Sequence, residues 1–305
     1  MVTRIAHSSR TSLASRTSLV REGYCVARQV LDGYAMTDLA QWSRTVLNGV
    51  CAAHRSRNRS QGTLVNLSDY PEFAGIIGHP ALAALFESLD FGDPVFSSGY
   101  LISKPPHGPA LFWHQDWWGW DDPMSYSDTI AQVFVMIYLT RTTQHNGCLR
   151  VIPGSHRQRH PLHDKPPAHA EALAKVAKPH DPIYASAAGE QAVPVEPGDV
   201  VIGDARLLHG AYDNRSEHER TLITLWYHPD FSNLPPGMQA RIREVFYRRG
   251  VDTDPESSNA MIMEDWPASQ RQQIESLFPV RAADALPHAW NRQPDVSKLC
   301  APGGS

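Results

Sequence analysis

The residues of this chain best suited to chemistry lie in Phe112-Trp113-His114-Gln115-Asp116-Trp117-Trp118, where an imidazole and a carboxylate stand two positions apart inside an aromatic run. Along a strand, positions i and i+2 share a face, so His114 and Asp116 can offer a nitrogen and an oxygen to one ion. That pairing suits iron(II) or manganese, and a further histidine would complete a two-histidine, one-carboxylate facial set. The tripeptide alone carries little weight, because a chain with 15 histidines and 32 acidic residues meets it by chance.

A third ligand candidate stands in residues 198–211. Pro197-Gly198-Asp199 is a turn feeding an apolar run, and His209-Gly210 ends that run where a side chain can emerge into a cavity. Arg220 follows His209 by 11 residues, across a polar turn at 213–217, and opens the strand-like run 221–227. The spacing predicts that His209 and Arg220 face one another on paired strands. A guanidinium is a fixed fork that grips a carboxylate bidentately, as a site for a dicarboxylic co-substrate requires.

Other candidates surround these. Gln132 is expected on the same strand face as Phe134, Met136 and Tyr138. A buried amide needs partners, so Gln132 either binds co-substrate or substrate or is a satisfied core amide. Trp113 alternates with His114 and reads as core, whereas Trp117, Trp118 and Trp120 either line a substrate mouth or simply pack. Tyr100 and Ser98, on the run before the motif, are further pocket candidates. His156, His160, His163, His169 and His180 lack the regular spacing of a zinc site and read as loop histidines. Cys148, between Gly147 and Leu149, reads as an inert packed thiol.

The elements that must position these groups are mainly β. Between 94 and 230, runs rich in Val, Ile, Tyr, Phe and Trp occur at 95–102, 110–116, 130–139, 149–152, 192–195, 200–202 and 221–227. With no helices alternating between them, they predict a sandwich, jelly roll or barrel, not a parallel α/β sheet. A long insert at 161–191, with an Ala-rich helical piece at 168–177, has the length of a lid or binding loop. Ahead of the β block, 24–27 reads as a strand, Thr37 as the cap of a helix, 55–61 as a loop, and 73–89, with Pro80, as a second helix. Helical patterns return over 235–280, one of them at 267–277.

Residues 1–17, basic, Ser-containing and without an acidic residue, have the composition of a transit peptide or of a disordered leader and are read as the latter; 18–295 read as a single domain, and 296–305 as a loose tail. A hydrophobic fraction of 42% and a charged fraction of 20% describe a soluble globular chain. No apolar run approaches a membrane span, and a formal charge of −4 gives no attraction for nucleic acid, so the partner expected is a small molecule. Four scattered cysteines without a C-x-x-C fit free thiols in a reducing, cytoplasmic setting.

His114-x-Asp116, then Asn146-Gly147-Cys148-Leu149-Arg150-Val151-Ile152-Pro153-Gly154-Ser155-His156, Pro197-Gly198-Asp199, His209-Gly210 and Arg220 together resemble the phytanoyl-CoA dioxygenase family of iron(II)/2-oxoglutarate oxygenases. The resemblance covers roughly residues 18–230. It implies a double-stranded β-helix core of the jelly-roll, cupin-like kind, with iron(II) on His114, Asp116 and His209 and Arg220 on the distal carboxylate of 2-oxoglutarate. It also implies consumption of dioxygen, release of succinate and carbon dioxide, and hydrogen abstraction from a C–H bond of a small metabolite, with natural-product biosynthesis as the expected setting. Asp116 stands where halogenases that resemble this superfamily carry a small residue, which favours hydroxylation. Desaturation, epimerisation and cyclisation start from the same abstraction. Many relatives carry a hydroxyl two residues after the distal histidine; here Ala211 holds that place, which leaves the second anchor of the keto acid open. The family name does not imply a CoA thioester, and no basic patch for CoA phosphates adjoins the motif.

Two other classes stay open on the sequence. One is a metal-dependent jelly-roll isomerase or lyase that does not use 2-oxoglutarate, which Arg220 disfavours. The other is a non-catalytic relative that binds a ligand or senses oxygen, which the intact ligand set disfavours.

Overall fold

Among the described residues the chain forms ten strands, here labelled β1 Tyr24–Ala27, β2 Thr63–Asn66, β3 Val95–Lys104, β4 Leu111–His114, β5 Val133–Tyr138, β6 Leu149–Val151, β7 Gln191–Val193, β8 Val200–Asp204, β9 His209–Ala211 and β10 Arg220–His228. In this computed structural model, which describes residues 15–165, 171–247, 262–280 and 285–301, they form two antiparallel sheets. The larger has the order β1-β8-β5-β10-β3-β2 and the smaller β4-β9-β6-β7. From β3 to β6 and from β7 to β10 each step of the chain crosses from one sheet to the other, which is the winding of a double-stranded β-helix. The expected jelly-roll core with flanking helices is therefore present.

Both faces of the larger sheet are buried, which is why β5 is apolar at every position. One face, with Val133, Val135, Ile137, Ile223, Leu225 and Tyr227, packs under helices α2 (Gly33–Gly49) and α3 (Pro80–Ser88) through Leu39, Val46, Leu82 and Phe86. The other, with Phe134, Met136, Tyr138, Val201 and Leu222, turns inward against Leu149, Val151 and Val193 of the smaller sheet. Strand alternation thus separates a structural face from a cavity-lining face.

Several local expectations shift. Helix α2 begins at Gly33, capped by Asp32, whose carboxylate accepts from Ala35 N at 2.9 Å. Thr37 lies inside the helix and returns its hydroxyl to Gly33 O, a bond that removes it as a cap. A helix over Arg16–Glu22, α1, begins two residues before the expected start of ordered chain, capped by Ser15; the remainder of the leader, 1–14, lies outside the described residues. The expected helix at 267–277 is split into Ala268–Arg271 and a 3-10 turn, Glu275–Leu277, with Ile274 fully buried between them. The described part of the tail is docked: Cys300 N donates to Arg157 O and Arg159 N to Cys300 O, at 2.9 and 2.8 Å. The last helix of regular length, α4, spans Pro236–Tyr247.

Part of the long insert covers the outer face of the smaller sheet. Arg150 donates to the carbonyls of Tyr184, Ala185 and Leu111, with its guanidinium 4.4 Å from the Trp113 ring. No helix among the described residues is long and apolar enough to cross a membrane.

Candidate active site

His114 closes β4 and His209 opens β9, and the two are direct partners in the strand register. Asp116 lies just beyond the end of β4. Its backbone N–H and that of Trp117 both donate to Ala205 O, at 2.8 and 3.0 Å, so the turn that leads into His209 also holds the carboxylate. The result is a compact set: His114 Nε2 is 3.6 Å from Asp116 Oδ1, His209 Nε2 is 3.6 Å from Asp116 Oδ2, and one ligand atom from each residue falls within 4.8 Å of the others.

The surroundings orient these groups for a metal. Nδ1 of His114 lies 3.1 Å from Phe112 O and Nδ1 of His209 lies 3.0 Å from Leu207 O. A carbonyl only accepts, so each Nδ1 carries the proton and each Nε2 turns its lone pair toward Asp116. Trp226 Nε1 donates to Asp116 Oδ2 at 2.8 Å, and the Phe134 ring lies 4.7 Å from that of His209. Two imidazoles and one carboxylate gathered in this way are a donor set that would fit iron(II). Among the described residues this is the one group of three or more such side chains close enough to hold a metal.

A buried ion pair fixes the turn behind the site. Arg206 donates to both oxygens of Asp204, at 3.0 and 2.7 Å, and to the carbonyls of Ser125 and Ser127, both at 2.9 Å. Burial raises the Asp204 pKa, but Arg206 more than offsets this and holds the carboxylate below its usual range. Gln115 donates to Arg206 O. Sequence reasoning missed Trp226, Asp204 and Arg206; the even spacing of Trp226 from Arg220 along one strand was the available signal for the first.

Arg220 begins β10 directly opposite Lys104 of β3. The expectation that His209 and Arg220 sit on paired strands is not met. β9 pairs with β4 and β6, and β10 with β3 and β5, because the chain between them crosses from the smaller sheet to the larger. Arg220 is 3% exposed, its Nε has no hydrogen-bond partner, and no carboxylate among the described residues comes within ion-pair range. Burial lowers its pKa, and the Tyr138 ring lies 5.6 Å from the guanidinium. Lys104 beside it is fully buried, donates to Ser60 O at 2.6 Å and to Pro109 O, and is held well below its usual pKa by burial and by Arg220. Burying an unpaired cation is costly, and an incoming carboxylate relieves that cost.

Gln132 immediately precedes β5, is 6% exposed, and its Oε1 has no partner. Its carbonyl accepts from Ala205 N, one link from Asp116. Tyr100 lies on β3 beside Thr224, its ring edge toward Trp226 at 6.0 Å. Trp117 is fully buried and donates to Ser125 Oγ, and Trp118 is stacked at 5.0 Å under Trp290. Trp113 faces away from the site and donates to Ala185 O. Of the loop histidines, His156 is bonded to Val20 O, and His160 and His163 cap a short turn. His169 lies outside the described residues. Burial pushes the Cys148 thiol up to about 11, which leaves it protonated and unreactive.

The sequence matches the family described as Phytanoyl-CoA dioxygenase (PhyH) over residues 19–222. It is 26% identical over 162 residues to dioxygenase cdmD of Talaromyces verruculosus, an alignment covering 50% of this chain and 46% of that protein. It is 29% identical over 150 residues to phytanoyl-CoA dioxygenase 1 of Oryza sativa subsp. japonica, covering 47% and 48%. The chain thus spans about half the length of these curated relatives. Among solved structures, the epimerase SnoN in complex with Fe3+, alpha ketoglutarate and nogalamycin RO is similar, with a TM-score of 0.53 over 80% of this chain and 93% of that one, at 20% identity. At that identity the likeness speaks for the fold alone. Since the family match runs from α1 into β10 and takes in His114, Asp116, His209 and Arg220, the chain belongs to the phytanoyl-CoA dioxygenase family.

Proposed function

We propose that this chain is an iron(II)- and 2-oxoglutarate-dependent dioxygenase, one oxygenase domain over 18–295, that oxidises a C–H bond of a small metabolite in natural-product biosynthesis. One observation carries the reading: the buried, unpaired Arg220 lies on the same face of β10 as Trp226, which holds the carboxylate of the candidate metal set. A dicarboxylic keto acid is the kind of molecule whose one end chelates a metal and whose other end needs that guanidinium.

In this reading His114, Asp116 and His209 hold iron, and Arg220 clamps the distal carboxylate of 2-oxoglutarate. Iron and 2-oxoglutarate held there would, with dioxygen, supply oxidising power sufficient for an unactivated C–H bond, with succinate and carbon dioxide as the co-products. The protein's part is placement and exclusion of water. Phe134, Met136, Tyr138 and Leu222 give the site an apolar wall that strengthens each charge-assisted contact. The Gln132 amide, placed among the co-substrate and substrate candidates, leaves an oxygen without a partner that suits a hydrogen-bond donor of the substrate. Tyr100 is the aromatic candidate on the inner face, whereas Trp117 and Trp118 brace the metal loop from behind.

The curated relatives support this reading, since both are named dioxygenases. Anaerobic addition of 2-oxoglutarate to the iron(II)-loaded protein should produce a weak visible charge-transfer band; its absence would overturn the proposal. Substrates are then screened by succinate release.

A further inference from the structure

The inner face of β10 carries Arg220, Leu222, Thr224 and Trp226 in alternation, while Ile223, Leu225 and Tyr227 face the helices. Thr224 is 1% exposed, and its Oγ1 has no hydrogen-bond partner. A buried hydroxyl without a partner is uncommon and calls for an explanation. β10 is central, bonded to β3 on one side and β5 on the other, so the nearby backbone groups are committed to the ladder. The side chains in register with Thr224 are Met136 and Tyr100, and the Met136 sulfur already accepts from the Tyr138 hydroxyl. If only the shape of this residue mattered, valine would fill the place without an unpaired polar atom.

Its place along the strand suggests what the hydroxyl is for. Thr224 stands two residues from Trp226 and four from Arg220, or about 7 and 13 Å at the rise of a strand. A molecule that reaches from the Asp116 end to Arg220 crosses the Thr224 position, nearer its metal-binding end. We propose that Thr224 is a co-substrate-binding residue, its hydroxyl donating to the metal-proximal carboxylate of 2-oxoglutarate. The proposal rests on the reading of the site given under Proposed function.

The test pairs Thr224→Val with Thr224→Ser. In anaerobic titrations of the iron(II) protein followed by the charge-transfer band, T224V should weaken 2-oxoglutarate binding about 10-fold or more, the value of a hydrogen bond to a charged group, with T224S close to wild type. Metal affinity, read by manganese(II) titration, should not change. Without metal or keto acid, T224V should melt at or above the wild-type temperature, because valine removes an unpaired hydroxyl. Unchanged 2-oxoglutarate affinity in T224V overturns the proposal. So does a T224V protein that melts lower or does not fold, since the hydroxyl would then serve the fold. A wild-type protein without any band removes the iron/2-oxoglutarate reading itself, whereas a normal wild-type band with unaffected T224V removes the Thr224 assignment alone.

Discussion

The indole Nε1 of Trp226 donates to Asp116 Oδ2 at 2.8 Å, tying the central strand of the larger sheet to a carboxylate at the end of a strand in the smaller one. This bond fixes the rotation of the carboxylate relative to the two imidazoles, which are held in turn by Phe112 O and Leu207 O. Partners of this kind orient metal ligands and typically account for 10–100-fold in affinity. Trp226→Phe keeps the ring and removes the donor. Titration with manganese(II) should show affinity reduced by roughly 10-fold or more in W226F, and no measurable site in Asp116→Ala.

Arg220 presents the opposite case, a group whose partner is not part of the protein. Replacing it by methionine keeps much of the volume and removes a buried, unpaired cation. Arg220→Met should therefore raise the stability of the metal-free protein, by about 1–4 kcal/mol in urea unfolding, while abolishing the 2-oxoglutarate band. Arg220→Lys should not restore tight binding, since an ammonium lacks the planar fork. A destabilised Arg220→Met would mean that the guanidinium already has a structural partner.

Buried histidines contribute to the acid limit of the fold, two of them most strongly. Burial holds His228 at about 4, and burial with the nearby His160 holds His163 at about 4, against about 6.5 in the unfolded chain. Between these values the unfolded state binds more protons than the folded one, so stability rises with pH and falls on acidification from about 6.5 toward 4. By pH 5 the loss is on the order of 1–2 kcal/mol per histidine. Urea midpoints of the metal-free protein at pH 7 and pH 5 should show it, and His228→Gln should reduce the pH dependence without removing it, since burial also lowers His156 and His160.

How much of this was legible in the sequence depended on whether the signal was local. β5 was readable because Val133 to Tyr138 is apolar without interruption, and β1 because Tyr24–Ala27 is a short apolar run. The ligand set was readable because His114 and Asp116 are neighbours and His209 lies in a motif of recognisable order. The sheet partner of Arg220 was not. A polar turn between a histidine and an arginine 11 residues further on looks like a hairpin, and only long-range pairing reveals that the chain changes sheets there. β2 escaped notice because four residues at a sheet edge bury only Thr63 and Val65. Asp204 and Arg206 carry no local signal of their pairing; their burial as an ion pair is a tertiary fact.

Gly203 links packing to the metal set most directly. It lies in β8 opposite Phe134, and a Cβ placed there would stand 2.0 Å from the Phe134 ring. That ring is fully buried and already lies 4.7 Å from His209, so it cannot swing aside without pressing on a candidate ligand. Gly203→Ala should therefore cost about 1–3 kcal/mol of stability, as overpacking of a filled core does. It should also weaken metal binding, because the displaced ring moves the imidazole against its bond to Leu207 O. Thermal unfolding and manganese(II) titration of G203A measure the two effects separately. If Phe134 is the transmitting element, Phe134→Leu in the G203A background should recover metal affinity; a double variant no better than G203A would place the strain in the β8 backbone.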